Sequence, residues 1–260
     1  MPWRPRRGTI DPVADVVPFR TRDDLAADLQ GLGPATDRIW AVGAGSGLVL
    51  ALAAALAFPR HGVALAYLSV LLRLAWYAAR GTRSPLLLRL LQFGLVTGVF
   101  AILGDYVRAD VLPHGRLVYL SRDAVLLITP PYVPLGWACA VVEVGYLPFR
   151  LYARLCGPRS GLGASAVASV LAAALAGLGM GMIEALAVRA GWWKYEVTGA
   201  MLAPSVAAYA PLGEGLAFLA LVPMLRRSLR DGVISWAIAF AATALAAQLL
   251  AWAALARVAR

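Results

Sequence analysis

Seven or so apolar runs set the terms for this chain, at about 39–58, 62–79, 84–104, 132–152, 162–190, 209–225 and 232–255. Runs of about 18 residues or more reach across the hydrocarbon of a bilayer. In that medium every backbone N–H and C=O must find its partner within the protein, which leaves helices or a closed barrel. The ten-residue alternation of a barrel strand is absent. The expected fold is therefore all-α, a polytopic bundle of about seven transmembrane helices over residues 39–260. A polar tail precedes it at 1–38. With 61% hydrophobic and 15% charged residues in 260, the chain has little left from which to build a soluble catalytic domain.

The net charge is +10, almost all of it arginine, and Lys194 is the sole lysine. A basic chain can signal nucleic acid. Here the arginines punctuate apolar runs, the pattern of residues that set topology and touch anionic lipid. With seven crossings, the tail and the turns near 80–83, 150–159 and 226–230 share one side and hold more than half of the 24 basic residues. Arg73 and Arg89 lie within runs, near enough to snorkel toward that side. This bias predicts a multi-pass protein of the plasma membrane with a cytoplasmic N-terminus and an external C-terminus.

One polar stretch interrupts the apolar runs and is then written again. From Gly104 the chain reads GDYVRADVLPHGRLVYLSRDAVLLITPPYVPLGW, and from Glu184 EALAVRAGWWKYEVTGAMLAPSVAAYAPLGE. Val107-Arg108-Ala109 matches Val188-Arg189-Ala190, Tyr119 matches Tyr195, and Tyr132-Val-Pro-Leu-Gly136 matches Tyr209-Ala-Pro-Leu-Gly213. Each stretch enters from an apolar run that ends in an acid, Asp105 or Glu184. An internal repeat governs any fold reading. The expectation is a parallel pair of helix–loop–helix units, about 95–152 and 172–228, lining one site.

Within this frame each conspicuous residue has a plain and a functional reading. Thr21-Arg-Asp-Asp24 resembles a capping box and predicts a short amphipathic surface helix in the tail. Gly43, Gly45 and Gly47, like Gly177, Gly179 and Gly181, are read as close helix packing. Trp76 and Tyr77 are read as an interfacial belt, and so is Trp192. The connector after Asp105 is long, and its apolar section Leu117–Thr129 predicts a short helix or re-entrant piece. Glu143 stands about 16 Å inside its helix, near the bilayer midplane, where a carboxyl group marks a site unless it is merely bonded to a neighbouring helix. Glu214 lies near a helix start, where the dipole and burial pull its titration in opposite directions. The last run, with Gln248, Trp236 and Trp252, reads as scaffold. Cys139 and Cys156 form no disulfide framework.

These residues exclude several chemistries. His61 and His114 are the only histidines, too few for an iron or zinc cluster. No acidic pair beside a span is placed for magnesium and a diphosphate, the lysine is not within a span, and there is no Gly-x-Ser-x-Gly elbow. What remains is carboxyl groups among indoles and phenols in an apolar setting. That combination suits protonation of a carbon–carbon double bond. A low-dielectric site keeps the acid neutral, and aromatic faces stabilise the carbocation without trapping it. Water or a second double bond captures the cation, so the outcome is hydration or cyclisation of a terpenoid or polyene, with no cofactor and no metal. Asp105 and Glu184 are the leading catalytic candidates, with Glu143 and Glu214 next. Tyr119, Trp137, Trp193, Tyr195 and Tyr106 are candidates for lining the substrate.

The spacing of Asp105-Tyr106, Pro113, Gly115, Tyr119, Pro131, Pro134 and Trp137 resembles the integral-membrane carotenoid-biosynthesis family that includes the bacterioruberin-type carotenoid hydratases. In the second half Glu184, Gly191, Trp193, Tyr195 and Pro211 are similar. The likeness covers roughly residues 100–215 and implies acid–base chemistry on a lipid-soluble isoprenoid. The small membrane terpene cyclases, which also rely on a pair of intramembrane acids, are a related comparison. The alternative is a protein that does no chemistry: a proton-coupled small-molecule carrier or a lipid-binding scaffold, built on the same acids. Either way the partners are an isoprenoid or other small lipid and the membrane itself, with no role for nucleic acid.

Overall fold

A computed structural model describes residues 32–81, 84–112, 116–121, 127–155, 162–196, 200–203 and 206–258. The expected tail helix and Cys156 lie outside them. Among the described residues, eight α-helices carry the fold: α1 (Pro34–Leu56), α2 (Gly62–Gly81), α3 (Pro85–Tyr106), α4 (Tyr132–Leu155), α5 (Leu162–Arg189), α6 (Tyr209–Phe218), α7 (Leu221–Asp231) and α8 (Val233–Val258). Pro34 and Pro85 open α1 and α3 at the first helical position, where the missing N–H is an orphan in any case.

Six helical segments are long and apolar enough to cross a membrane: Pro34–Leu56, Pro59–Gly81, Pro85–Val111, Tyr132–Tyr152, Ser165–Arg189 and Val233–Leu255. Large apolar side chains such as Leu72, Val99, Leu178 and Leu250 point outward, as lipid contact requires. This is a membrane protein. The expected run 209–225 is two helices, α6 and α7, not one. Pro223, in the first turn of α7, has no N–H to give to Leu219, so the ladder breaks at Leu219 and Ala220.

The all-α expectation needs one amendment. Two short antiparallel pairs of strands close one end of the bundle: β1 (Arg116–Tyr119) with β2 (Trp193–Glu196), and β3 (Met201–Ala203) with β4 (Val206–Ala207). The section from Leu117 that reads as helix is thus a strand at its start. β1 and β2 come from the two similar stretches of sequence, and their register sets Tyr119 opposite Trp193 and Leu117 opposite Tyr195.

Local chemistry explains how each strand is delivered. At the end of α5, Gly191 takes φ +70°. The Trp192 N–H then reaches the Ala187 carbonyl and the Gly191 N–H the Val188 carbonyl, the Schellman closure that a left-handed glycine permits. At the end of α3 the chain widens into a π turn, Val107–Val111, with the Leu112 N–H on the Val107 carbonyl at 3.0 Å. Such turns rotate the following side chains relative to a continued α-helix, and here Arg108 is buried.

The helices pack in neighbouring pairs: α1 along α2, α3 along α4, α5 along α6, with α8 against α3 and α6. Gly94 and Gly98 let α3 approach the backbone of α4 at Ala138 and Pro134, while Gly177 lies against the Pro211 carbonyl and Gly215 of α6. Gly43 accommodates the Tyr77 ring and Gly47 the Arg73 side chain. Two expected belt residues are instead interior. Tyr77 is wholly buried, and Trp192 is buried with its indole N–H on the Gly62 carbonyl at 2.7 Å.

Candidate functional site

The β1–β2 pair joins the two acids that end α3 and α5. Asp105 is buried on the last turn of α3. It accepts from the Arg108 guanidinium, which the π turn brings inward, from the Tyr119 hydroxyl at 2.7 Å and from Thr129 Oγ1 at 3.2 Å. Glu184 is buried on α5 and accepts from the Trp193 indole N–H at 2.7 Å. Tyr119 and Trp193 face each other in the strand register, with ring centroids 6.0 Å apart at 82°. Each strand therefore supplies one donor to the acid of the helix that leads into it. Both acids answer to one two-stranded unit.

A third carboxyl group completes the cluster. Glu214, buried on α6, accepts from Gln248 Nε2 of α8 at 2.6 Å through Oε1, while its Oε2 has no protein partner. Arg108 Nε is likewise buried and without a partner among the described residues, and the Tyr195 hydroxyl meets Glu184 without a well-aligned hydrogen bond. Buried polar groups are nearly always paired, so Glu214 Oε2 and Arg108 Nε, orphans in one cluster, are a departure that needs a cause. The charges are also unequal. Asp105 is bonded to Arg108, and Glu184 and Glu214 lie within the electrostatic reach of the same guanidinium, so one cation serves three acids. Nearby phenols stay protonated. Burial pushes the Tyr119 phenol well up and the Asp105 carboxylate adds to it. Burial and then Glu184 do the same for Tyr195.

Arg108, Glu184 and Glu214 open onto a cavity of about 520 Å³. Tyr119 and Trp193 form its end wall, and its sides are mostly small or apolar, from Ala44 and Ala66 to Gly136, Trp137, Gly179 and Phe218. Trp137 stacks on Phe218 at 6.4 Å. The other end carries a different polar group. Arg73 Nη1 donates to both oxygens of Glu143 at 2.9 and 3.0 Å, Tyr77 adds a longer contact of 3.4 Å, and the Trp40 indole N–H lies on the Glu143 carbonyl. Glu143 follows Tyr132, whose hydroxyl meets Trp192 beside the strands, by eleven helical residues, or about 16 Å. The cavity thus runs between two polar ends.

Of the acids expected from sequence, Asp105, Glu184 and Glu214 gather at one end and Glu143 stands at the other with Arg73. Arg73 does not snorkel toward the surface. Tyr119, Trp137 and Trp193 line the cavity, and Tyr195 is buried against Tyr209. Tyr106 is a correction: it is 41% exposed on the outer face of α3, away from the cavity lining. The sequence reading missed Arg108, Thr129, Gln248 and Arg73. Gln248, which reads as scaffold in the sequence, holds Glu214. Among the described residues no group of three or more His, Cys, Asp or Glu is placed to hold a metal ion.

The chain belongs to a family described as a domain of unknown function, DUF6989, whose model matches residues 102–258, more than half of the chain. No curated protein and no solved structure matches it. The cluster around Arg108 falls entirely within the matched region. The cavity walls from α1 and α2, Arg73 included, lie before it.

Proposed function

We propose that the protein is a membrane enzyme that protonates a double bond of a terpenoid or carotenoid and directs the cation to hydration or cyclisation. One observation carries this reading: an apolar, indole-walled cavity ends in Arg108, Glu184 and Glu214, with Glu214 Oε2 unpartnered among the described residues, while Asp105 holds the guanidinium from outside the lining. Gln248 fixes Oε1 of Glu214, which leaves a proton on Oε2 free to be given. That proton passes to one carbon of the double bond, whose electron pair forms the new C–H bond. The cation left on the other carbon lies among the aromatic faces of Trp137 and Trp193. Glu184, oriented by Trp193, takes the balancing proton, either from the water that adds or from a neighbouring C–H. Asp105 accepts hydrogen bonds only, and in this scheme it holds Arg108 and Tyr119 in place. The resemblance to carotenoid-biosynthesis enzymes supports an isoprenoid substrate.

Finer points of architecture belong to the same proposal. α6 and α7 together are read as a seventh crossing, with a cytoplasmic N-terminus in the plasma membrane. The stretches about α3–β1–α4 and α5–β2–α6 are read as a repeat. In support, Gly98 precedes Asp105 by seven residues and approaches the Pro134 carbonyl, while Gly177 precedes Glu184 by seven and approaches the Pro211 carbonyl at 3.3 Å. Pro134 and Pro211 each stand two residues after the tyrosine that opens the helix.

The test is lipid extracts of cells with and without the protein, compared by mass. A new product heavier by one water, or an isomer, that disappears with Glu214→Gln or Glu184→Gln in a correctly inserted protein supports the assignment. Full conversion by both variants refutes it. A lipid recovered chemically unchanged, with uptake that follows a proton gradient, assigns the same acids to a carrier instead.

A further inference from the structure

The Arg73–Glu143 pair has no part in the chemistry above, yet both side chains line the cavity. Arg73 donates from Nε to the Ser69 carbonyl and from Nη1 to Glu143, and its Nη2 donates to none of the described residues. An ion pair withdrawn from water is weak evidence of stability, because desolvation offsets its attraction. Lining a cavity, it presents a charged donor and a charged acceptor to whatever enters. The walls between this pair and the Arg108 cluster are mostly alanine, glycine, aliphatic, methionine and aromatic side chains, and the Tyr132 hydroxyl among them is engaged by the Trp192 carbonyl, so a ligand that fills the length meets charged groups only at its two ends.

We infer that Arg73 and Glu143 form a second binding subsite, which recognises a hydroxyl or carbonyl at the end of the isoprenoid remote from the reacting double bond. This deepens the proposed function and rests on it for the hydrocarbon part of the ligand. A pure hydrocarbon would desolvate the pair and return no hydrogen bond. An oxygenated chain accepts from Arg73 Nη2, and an alcohol also donates to Glu143. The N-terminal helices then have a definite task. The reacting end comes from the region matched by the family, whereas α1 and α2, which precede it, supply Arg73 and Trp40 and so read the far end of the substrate.

The experiment measures binding in nanodiscs by the change in tryptophan fluorescence, since Trp40, Trp137, Trp192 and Trp193 line the cavity. The probes are farnesol, the same hydrocarbon without the hydroxyl, and farnesoic acid. The full-length wild type is expected to bind farnesol about tenfold more tightly than the hydrocarbon, the effect of one hydrogen bond to a charged group. The double variant Arg73→Gln/Glu143→Gln is expected to lose that preference, and Glu214→Gln to keep it. Glu143→Gln alone strips Arg73 of its anion and is expected to bind farnesoic acid at least about tenfold more tightly than the wild type does. That arm stands even where the double variant does not fold. Equal binding of alcohol and hydrocarbon by the wild type, loss of the preference in Glu214→Gln, or no gain for the acid in Glu143→Gln overturns the subsite. None of these readouts needs turnover, so an absent reaction leaves the subsite standing, and an absent preference leaves the acid–base reading standing.

Discussion

Two charged assemblies face the same cavity, and they are built on opposite plans. At Arg73 and Glu143 one cation meets one anion. Both carboxylate oxygens are occupied by the guanidinium, and a phenol adds a third contact. At Arg108 one cation faces Asp105, Glu184 and Glu214, and Glu214 Oε2 and Arg108 Nε have no partner among the described residues. Burial of charge is common to both and so does not mark the reactive end. Imbalance does. A closed pair has no proton to trade, while a carboxyl group in excess of its counterions must hold one, and an unpartnered oxygen is free to deliver it.

The comparison breaks first on activity. Glu214→Gln and Glu184→Gln are each expected to cut turnover by about a hundredfold or more, the usual weight of a general acid or base. Glu143→Gln changes which ligand binds and leaves the proton transfer intact. Product formation from a saturating lipid substrate in nanodiscs measures both, and equal losses in all three variants would erase the distinction between the two ends.

Stability sharpens it next. Arg73→Met and Arg108→Met each leave a buried carboxylate without its cation, at a cost of about 3 to 5 kcal/mol. Compensation separates the two. Adding Glu143→Leu to Arg73→Met removes most of the stranded charge and is expected to restore most of the loss. Adding Asp105→Leu to Arg108→Met is not, because Tyr119 and Thr129 then lose their acceptor. Unfolding in mixed micelles as a double-mutant cycle decides between these outcomes.

Much of this was legible in the sequence where one residue type had one physical meaning. Asp105 and Glu184 stood out because an acid closing an apolar run has to be paired, protonated or functional. Arg108 and Arg73 did not, since arginine near the end of a span reads first as a topology signal. Only the π turn carries Arg108 inward, and nothing in Val-Arg-Ala distinguishes it from Arg189, which has the same neighbours and is exposed. Gln248 is an uncharged polar residue with no periodic signal, and its meaning comes entirely from Glu214 across the helix contact. Matching letters align Tyr119 with Tyr195 but do not announce which residues stand opposite each other across the strands. The donor to each acid sits at a different distance along the chain, fourteen residues from Asp105 to Tyr119 but nine from Glu184 to Trp193, and these two donors face each other in the register. The strands themselves are two to four residues long, too short to declare a period against a helix.

The two halves also differ in how tightly their helices meet. An alanine Cβ at Gly98 would drive into the backbone of Pro134, with its carbonyl carbon at 2.8 Å. Because that neighbour is backbone on a packed helix, α3 and α4 must separate, and Gly98→Ala is expected to cost about 2 kcal/mol. At Gly177 the nearest atom is the Pro211 oxygen at 3.3 Å, which a small shift relieves, so Gly177→Ala should cost about half as much or less. Equal losses in thermal unfolding would show that the two contacts are not as different as their distances.

The smallest contrast lies between two phenols, Tyr119 and Tyr195. Tyr119 donates to Asp105, so Tyr119→Phe removes a hydrogen bond to a charged group and should cost about 1.5 kcal/mol. The Tyr195 hydroxyl meets Glu184 without forming a well-aligned hydrogen bond, so Tyr195→Phe should cost less than Tyr119→Phe in the ligand-free protein. Alkaline titration gives the same contrast a sign. Both phenols are held above the ordinary tyrosine range, by burial first and by their carboxylates second. The folded state therefore keeps protons that the unfolded chain gives up. Stability from this source is intact below about pH 10 and falls as the pH rises further, where the unfolded phenols ionise first. Each Tyr→Phe change should flatten that alkaline fall, and an unaltered pH profile in both variants would mean that neither phenol is shielded as the cavity geometry requires.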